Sequence, residues 1–155
     1  YNEWQNSAHS AGDPTNAGCN DCHDSHIGTR YGFADMGGII TTCEDCHTEI
    51  TSNAHVVPLD CVTCHMSQAT KSAVPDPDNL LYVGDVKTHI FSINPAAVGK
   101  EVFFNDDQSA VREPTEGVTL DFVCYQCHQD SGANGGSNSP RTLEELSARA
   151  TGIHD

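Results

Sequence analysis

Eight cysteines in a chain of 155 residues fall into four pairs, each with two residues between its members: Cys19/Cys22, Cys43/Cys46, Cys61/Cys64 and Cys124/Cys127. The next residue is histidine in every pair: His23, His47, His65 and His128. Cys-x-x-Cys-His is the pattern of covalent haem c attachment. Two thiols add to the two vinyl groups of one porphyrin, and the spacing lets a single backbone turn bring both sulfurs to the ring. The adjacent imidazole then faces the iron from the same side. Two other readings use paired cysteines: a disulfide framework and a pair of zinc ribbons, for which the stretch from Cys46 to Cys61 is near ribbon length. Neither needs His after every second Cys. With 9 His in 155 residues, four in four by chance is roughly one in 100,000, which sets the specificity of the motif. The expected cofactor is four covalent haem c groups, each with iron.

Iron in haem has a second axial position. Four proximal histidines leave five others: His9, His26, His55, His89 and His154. A surplus that nearly matches the haem count points to bis-histidine iron, which suits electron transfer because both axial sites are filled. His26 follows His23 by three residues, too close to reach the far side of its own haem, so it is expected to face a neighbouring one. His55 can serve either flanking haem. His89 lies in an apolar run with Val86, Ile90 and Phe91. His9 and His154 lie near the ends, where chains fray unless tied down. Four distal ligands are needed, and His154 is the first to spare. Met66 directly follows a proximal His, and Met36 is read as packing.

These ligands need elements to hold them, and composition limits what is available. Hydrophobic residues make up 37 % of the chain, below the usual 45–50 % or so. A chain so sparse in Ile, Leu and Phe buries a poor core unaided, so haem is expected to form it. The fold class expected is mostly irregular coil with few short helices and one or two short β-hairpins around a haem core. One domain over 1–155 is expected, with an N-terminal arm and three-haem segment at 1–65, a strand-bearing insert at 66–123, and the fourth haem with a C-terminal helix at 124–155. Leu80–Val83, Val86–Ile93, Val102–Phe104 and Val118–Val123 read as strands, and Phe91, Phe103, Phe104 and Phe122 as porphyrin cover. Thr142 with Glu145 reads as a capping box. Leu143, Leu146 and Ala150 follow as an apolar stripe, and Gly152 as a stop.

The formal net charge is −15 and the isoelectric point about 4.6. With 7 Lys plus Arg there is no basic surface for nucleic acid and none for a lysine-ringed docking face. No run reaches transmembrane length. Covalent haem attachment implies export, so a signal peptide is expected to have been removed from this chain.

Three phrases carry a family resemblance: Tyr1-Asn-Glu-Trp4 with Ser7-Ala-His9, Cys61-Val-Thr-Cys-His-Met66 with Lys71-Ser-Ala73, and Gly84-Asp-Val-Lys-Thr-His89-Ile-Phe91. The chain resembles multihaem c-type cytochromes, in which the His of the last phrase is commonly a distal ligand. Haem count, size and close early spacing also resemble the tetrahaem cytochromes that polymerise into extracellular nanowires. That resemblance implies electron transfer as a homopolymeric filament subunit at the cell surface, with His9 as the inter-subunit ligand. Other redox proteins or extracellular electron acceptors would be its partners. A discrete periplasmic or surface shuttle is the alternative. A multihaem reductase needs an open iron position, which five spare His oppose, so no catalytic residue is expected.

Overall fold

With 13 Gly and 7 Pro in the chain, few stretches can sustain a helix beyond a turn or two. The computed structural model describes residues 1–10, 16–27, 38–50, 59–70, 86–106, 110–128 and 140–154. Most of these are coil, with short helices α1 (Asn2–Gln5), α2 (Cys19–Cys22), α3 (Cys61–His65), α4 (Lys100–Phe103), α5 (Leu120–Val123), α6 (Tyr125–His128) and α7 (Leu143–Ala150). Single 3-10 turns lie at Ala8–Ser10 and Cys43–Asp45. The chain divides into two compact units, Tyr1–Thr51 and Ser52–Asp155. Each carries two motifs, whereas the sequence grouped three of them in 1–65.

Hairpins were expected; the sheet among the described residues is instead one parallel pairing. Strand β1 (Ile93–Asn94) runs beside β2 (Val118–Thr119), with Ile93 opposite Val118 and Asn94 opposite Thr119. The connection carries α4, and a crossover of this kind returns the chain in the same direction. Gly117, at φ 118°, makes the close approach feasible: a Cβ there would meet the Ile93 carbonyl carbon and the Asn94 nitrogen at 2.9 Å. Antiparallel contact survives among the described residues as isolated bridges, His23 with Ile39, Thr70 with Val86 and Phe104 with Val111. The expected strand at Val102–Phe104 is mostly α4, and that at Val118–Val123 splits into β2 and α5. β-branched and aromatic content marked these as segments to bury, and burial does not require an extended backbone. The expected strand at Leu80–Val83 lies outside the described residues.

The second unit has a protein core of its own. Phe103, Phe104 and Phe122 meet in tilted and edge-to-face contacts with ring centroids 4.9, 5.5 and 5.6 Å apart, a favourable arrangement for aromatic rings. Ala69, Ile90, Val118 and Val123 close round them, and Cys64 and Cys124 lean on the cluster. These three Phe, expected as porphyrin cover, are buried within this cluster of side chains. Burial of α7 follows its pattern: Leu146 is inside. Glu145 N–H donates to Thr142 Oγ1 (3.3 Å), and Thr142 N–H donates to the Glu145 carboxylate (3.0 Å). Gly152, at φ 83°, ends the helix as a left-handed residue should.

One buried charge ties the core together. Asp121 is fully buried. Its carboxylate accepts Lys100 N–H (2.6 Å), Phe122 N–H (3.0 Å) and the Thr119 hydroxyl, so it caps α4 from across the unit. Burial raises its pKa; the three donors oppose that shift, and Glu101 adds to it. Asp121→Ala strips the acceptor from all three donors and should cost about 1–3 kcal/mol in denaturant titrations. In the parent, the raised pKa means that the stability linked to this carboxyl is fully present below the ordinary carboxylate range. It is lost as pH rises through the raised value. Asp121→Asn should flatten that part of the stability–pH curve.

Candidate functional site

Each cysteine motif is folded as one turn of helix. The His N–H donates to the carbonyl of the first Cys in three of them: His23 to Cys19 (2.8 Å), His47 to Cys43 (2.8 Å) and His128 to Cys124 (2.9 Å). The remaining one is α3 itself, from Cys61 to His65. Residues three apart on a helical turn share a face, so the two sulfurs of each motif lie on one side. The turns of the first unit are capped from within: the Asp21 carboxylate accepts Gly18 N–H (2.7 Å), and the Asp45 carboxylate accepts Thr42 N–H (2.7 Å) and the Thr42 hydroxyl (3.1 Å). Sequence reasoning missed this role, although the signal is plain in the shared Cys-x-Asp-Cys-His of the first two motifs. In the fourth motif Gln126 Nε2 donates to the Phe122 carbonyl (2.7 Å).

The motifs come in pairs. Burial raises the Cys22 thiol pKa, and Cys43, Asp21, Cys46 and Cys19 raise it further. In the second unit burial raises Cys64, with Cys127 adding to it. Burial likewise pushes Cys124 up to about 12, with Cys64, Cys127 and Asp121 contributing. Ile40 N–H, three residues before Cys43, donates to the Cys22 carbonyl (2.9 Å), and Cys64 and Cys124 pack on the same core cluster, so motif one lies near motif two and motif three near motif four. All eight are unbridged.

The remaining histidines divide. His9 lies in the Ala8–Ser10 turn, with its ring centroid 6.1 Å from that of His47 and the planes at 83°. It is held there by a folded arm: Trp4 Nε1–H donates to the Ala17 carbonyl (2.8 Å), Ser7 Oγ–H to Trp4 (2.7 Å), and Ser10 Oγ–H to Ser7 (3.0 Å) and Gln5. Burial, with His47 close by, lowers the His9 pKa. His154, four residues beyond α7, has its ring centroid 5.8 Å from that of His65, with the planes 20° apart. His89 is half-buried and edge-on to Phe91 at 5.8 Å. His26 is exposed, its N–H donating to the Asp24 carboxylate (2.8 Å). His55 and Met36 lie outside the described residues.

His65 has a further partner that the sequence did not reveal. Its Nδ1 is 2.6 Å from the Phe91 carbonyl oxygen. A carbonyl only accepts, so Nδ1 carries the proton and Nε2 is left as the electron-pair donor. A tight turn closed by Ser92 N–H and the Ile90 carbonyl (2.7 Å) holds Phe91 at φ 61°, a region rarely adopted by bulky residues. That strain aims the carbonyl at the imidazole.

No protein-family model, curated protein or solved structure matches the chain.

The donor sets can be tested against possible groups. Among the described residues no three His, Cys, Asp or Glu side chains converge as a bare-ion site, whereas tetrahedral zinc asks four donors to meet at one point. Two sulfurs on one face of a turn, followed by an imidazole, suit a flat macrocycle that brings its own equatorial nitrogens. Among the described residues no helix is long and apolar enough to cross a membrane.

Proposed function

We propose that this chain is a tetrahaem c-type cytochrome that carries electrons. The observation that supports it best is the common build of the four Cys-x-x-Cys-His segments: each is one helical turn, and the turns lie pairwise close within each unit. Cys19, Cys22, Cys43, Cys46, Cys61, Cys64, Cys124 and Cys127 would anchor the four haems, and His23, His47, His65 and His128 would hold the irons. When bound, haem supplies reversible one-electron chemistry at iron. Each motif imidazole would hold one iron, and at His65 the Phe91 carbonyl fixes the tautomer that would face it. Its acidic surface keeps an exported protein dispersed. The filament expected from the sequence asks His9 to leave its own chain, but His9 lies against His47 in the same unit. The working form we favour is therefore a discrete exported carrier that exchanges electrons with other redox proteins.

A pyridine haemochrome assay on protein made with haem-attachment machinery should give four haems per chain, with an oxidised spectrum that is low-spin throughout. Fewer than four haems, or zinc in their place, would remove the proposal. A strong high-spin fraction would point instead to an open iron and to catalysis.

A further inference from the structure

Among the described residues, His47 and His65 each have a second imidazole set against them. A histidine nitrogen sits about 2.0–2.1 Å from a bound first-row metal such as zinc, and the ring centre about 1.1 Å farther out, so two rings facing each other through one metal have centroids roughly 6.3 Å apart. The pairs here stand at 6.1 Å for His9 and His47 and 5.8 Å for His65 and His154. Aromatic rings that merely touch can show the same spacing. What singles these contacts out is their membership: each joins a motif histidine to one of the spare histidines. Each is also supported from behind. The Trp4–Ala17 and Ser7–Trp4 hydrogen bonds fold the His9 arm onto its own unit, and the Phe91 carbonyl fixes the plane of His65.

On the haem reading above, we infer that His9 and His154 are the distal ligands opposite His47 and His65 within the same chain, and that these two irons are electronically distinct. The distinction comes from the ring planes, 83° apart in the first pair and 20° in the second. Each imidazole donates π density into the iron d orbital perpendicular to its ring. Near-parallel rings load one orbital and split it from its partner, which gives a rhombic low-spin resonance. Near-perpendicular rings load both orbitals alike and leave them almost degenerate, which gives a highly anisotropic signal at large g.

Electron paramagnetic resonance of the oxidised holoprotein tests this. Wild-type protein should show both kinds of low-spin signal. His9→Ala should remove one haem's share of the large-g signal and add a high-spin signal of equal weight; His154→Ala should do the same to the rhombic signal. The His9-dependent signal should persist on dilution, because the ligand belongs to the same chain. His9→Met and His154→Met guard against a loss of folding. Each should stay six-coordinate and low-spin while raising the potential of one haem, as thioether ligation does. The inference is overturned if the alanine variants keep the full wild-type spectrum, or if the His9-dependent signal disappears on dilution. A wild-type haemochrome count below four would instead bring down the haem reading itself.

Discussion

Replacing Cys19, Cys22, Cys43 and Cys46 together with Ala should unfold residues 1–51 while the second unit keeps its structure. The reason is an imbalance of apolar burial. Every buried hydrophobic side chain among the described residues lies between Ala69 and Leu146; of the described residues of the first unit only Ser7 is buried. Ile27, Ile40 and Ile50 there stand 45 %, 55 % and 51 % exposed. Isolated helices of one turn do not persist in water, and a unit of this size with no apolar core among its described residues needs a metal group, disulfides or a partner to fold. The macrocycles at the first two motifs would supply the missing surface. Hydrogen exchange read by mass spectrometry should show residues 1–51 losing essentially all protection and residues 86–128 keeping theirs. Retained protection in 1–51 without attached haem would show that the first unit has another source of stability.

The second large effect belongs to Phe122. Its side chain is 2 % exposed and touches both Phe103 and Phe104. It also lies two residues before Cys124, so the cluster it anchors is the platform under the fourth motif. Phe122→Ala deletes a ring from a protein core and should cost about 3–5 kcal/mol, a large part of the about 5–15 kcal/mol that holds a typical domain together. Phe122→Leu should cost less because most of the volume remains. Denaturant titration of the holoprotein measures both. A loss below about 1 kcal/mol would mean that the ring is not buried in a close-packed cluster, because a vacated space there is not so lightly tolerated.

How much of this was legible in the sequence depends on range. Contacts between near neighbours were. The helix after Thr142, its cap by Glu145, the inward face at Leu146 and the stop at Gly152 follow from local rules and appear where those rules place them. So do the short-helix, coil-rich character and the turn in each cysteine motif. What failed involved distant partners. Val102–Phe104 and Val118–Val123 carry strand-like composition, yet the Asp121 carboxylate caps α4 from 21 residues away, and Gly117 brings β2 against β1. Neither effect is visible in a window of local propensity. His154 looked expendable because it lies near an end, and nothing within ten residues of it names His65 as its neighbour. The Phe91 carbonyl belongs to the backbone, which sequence patterns do not mark, and its aim depends on a positive φ that no glycine announces.

The hydrogen bond that closes each motif turn has a consequence for the order of events. It joins sequence neighbours, so it forms on about the 0.1–1 μs scale of helix–coil relaxation. Pairing of β1 with β2 must first bring together ends separated by the α4 crossover, and non-local contacts of that kind form more slowly. A motif turn therefore forms and melts many times before those strands pair, because one turn alone does not persist in water. On the haem proposal, attachment would catch each turn in its folded shape, and the tertiary structure of residues 1–51 would follow attachment rather than precede it.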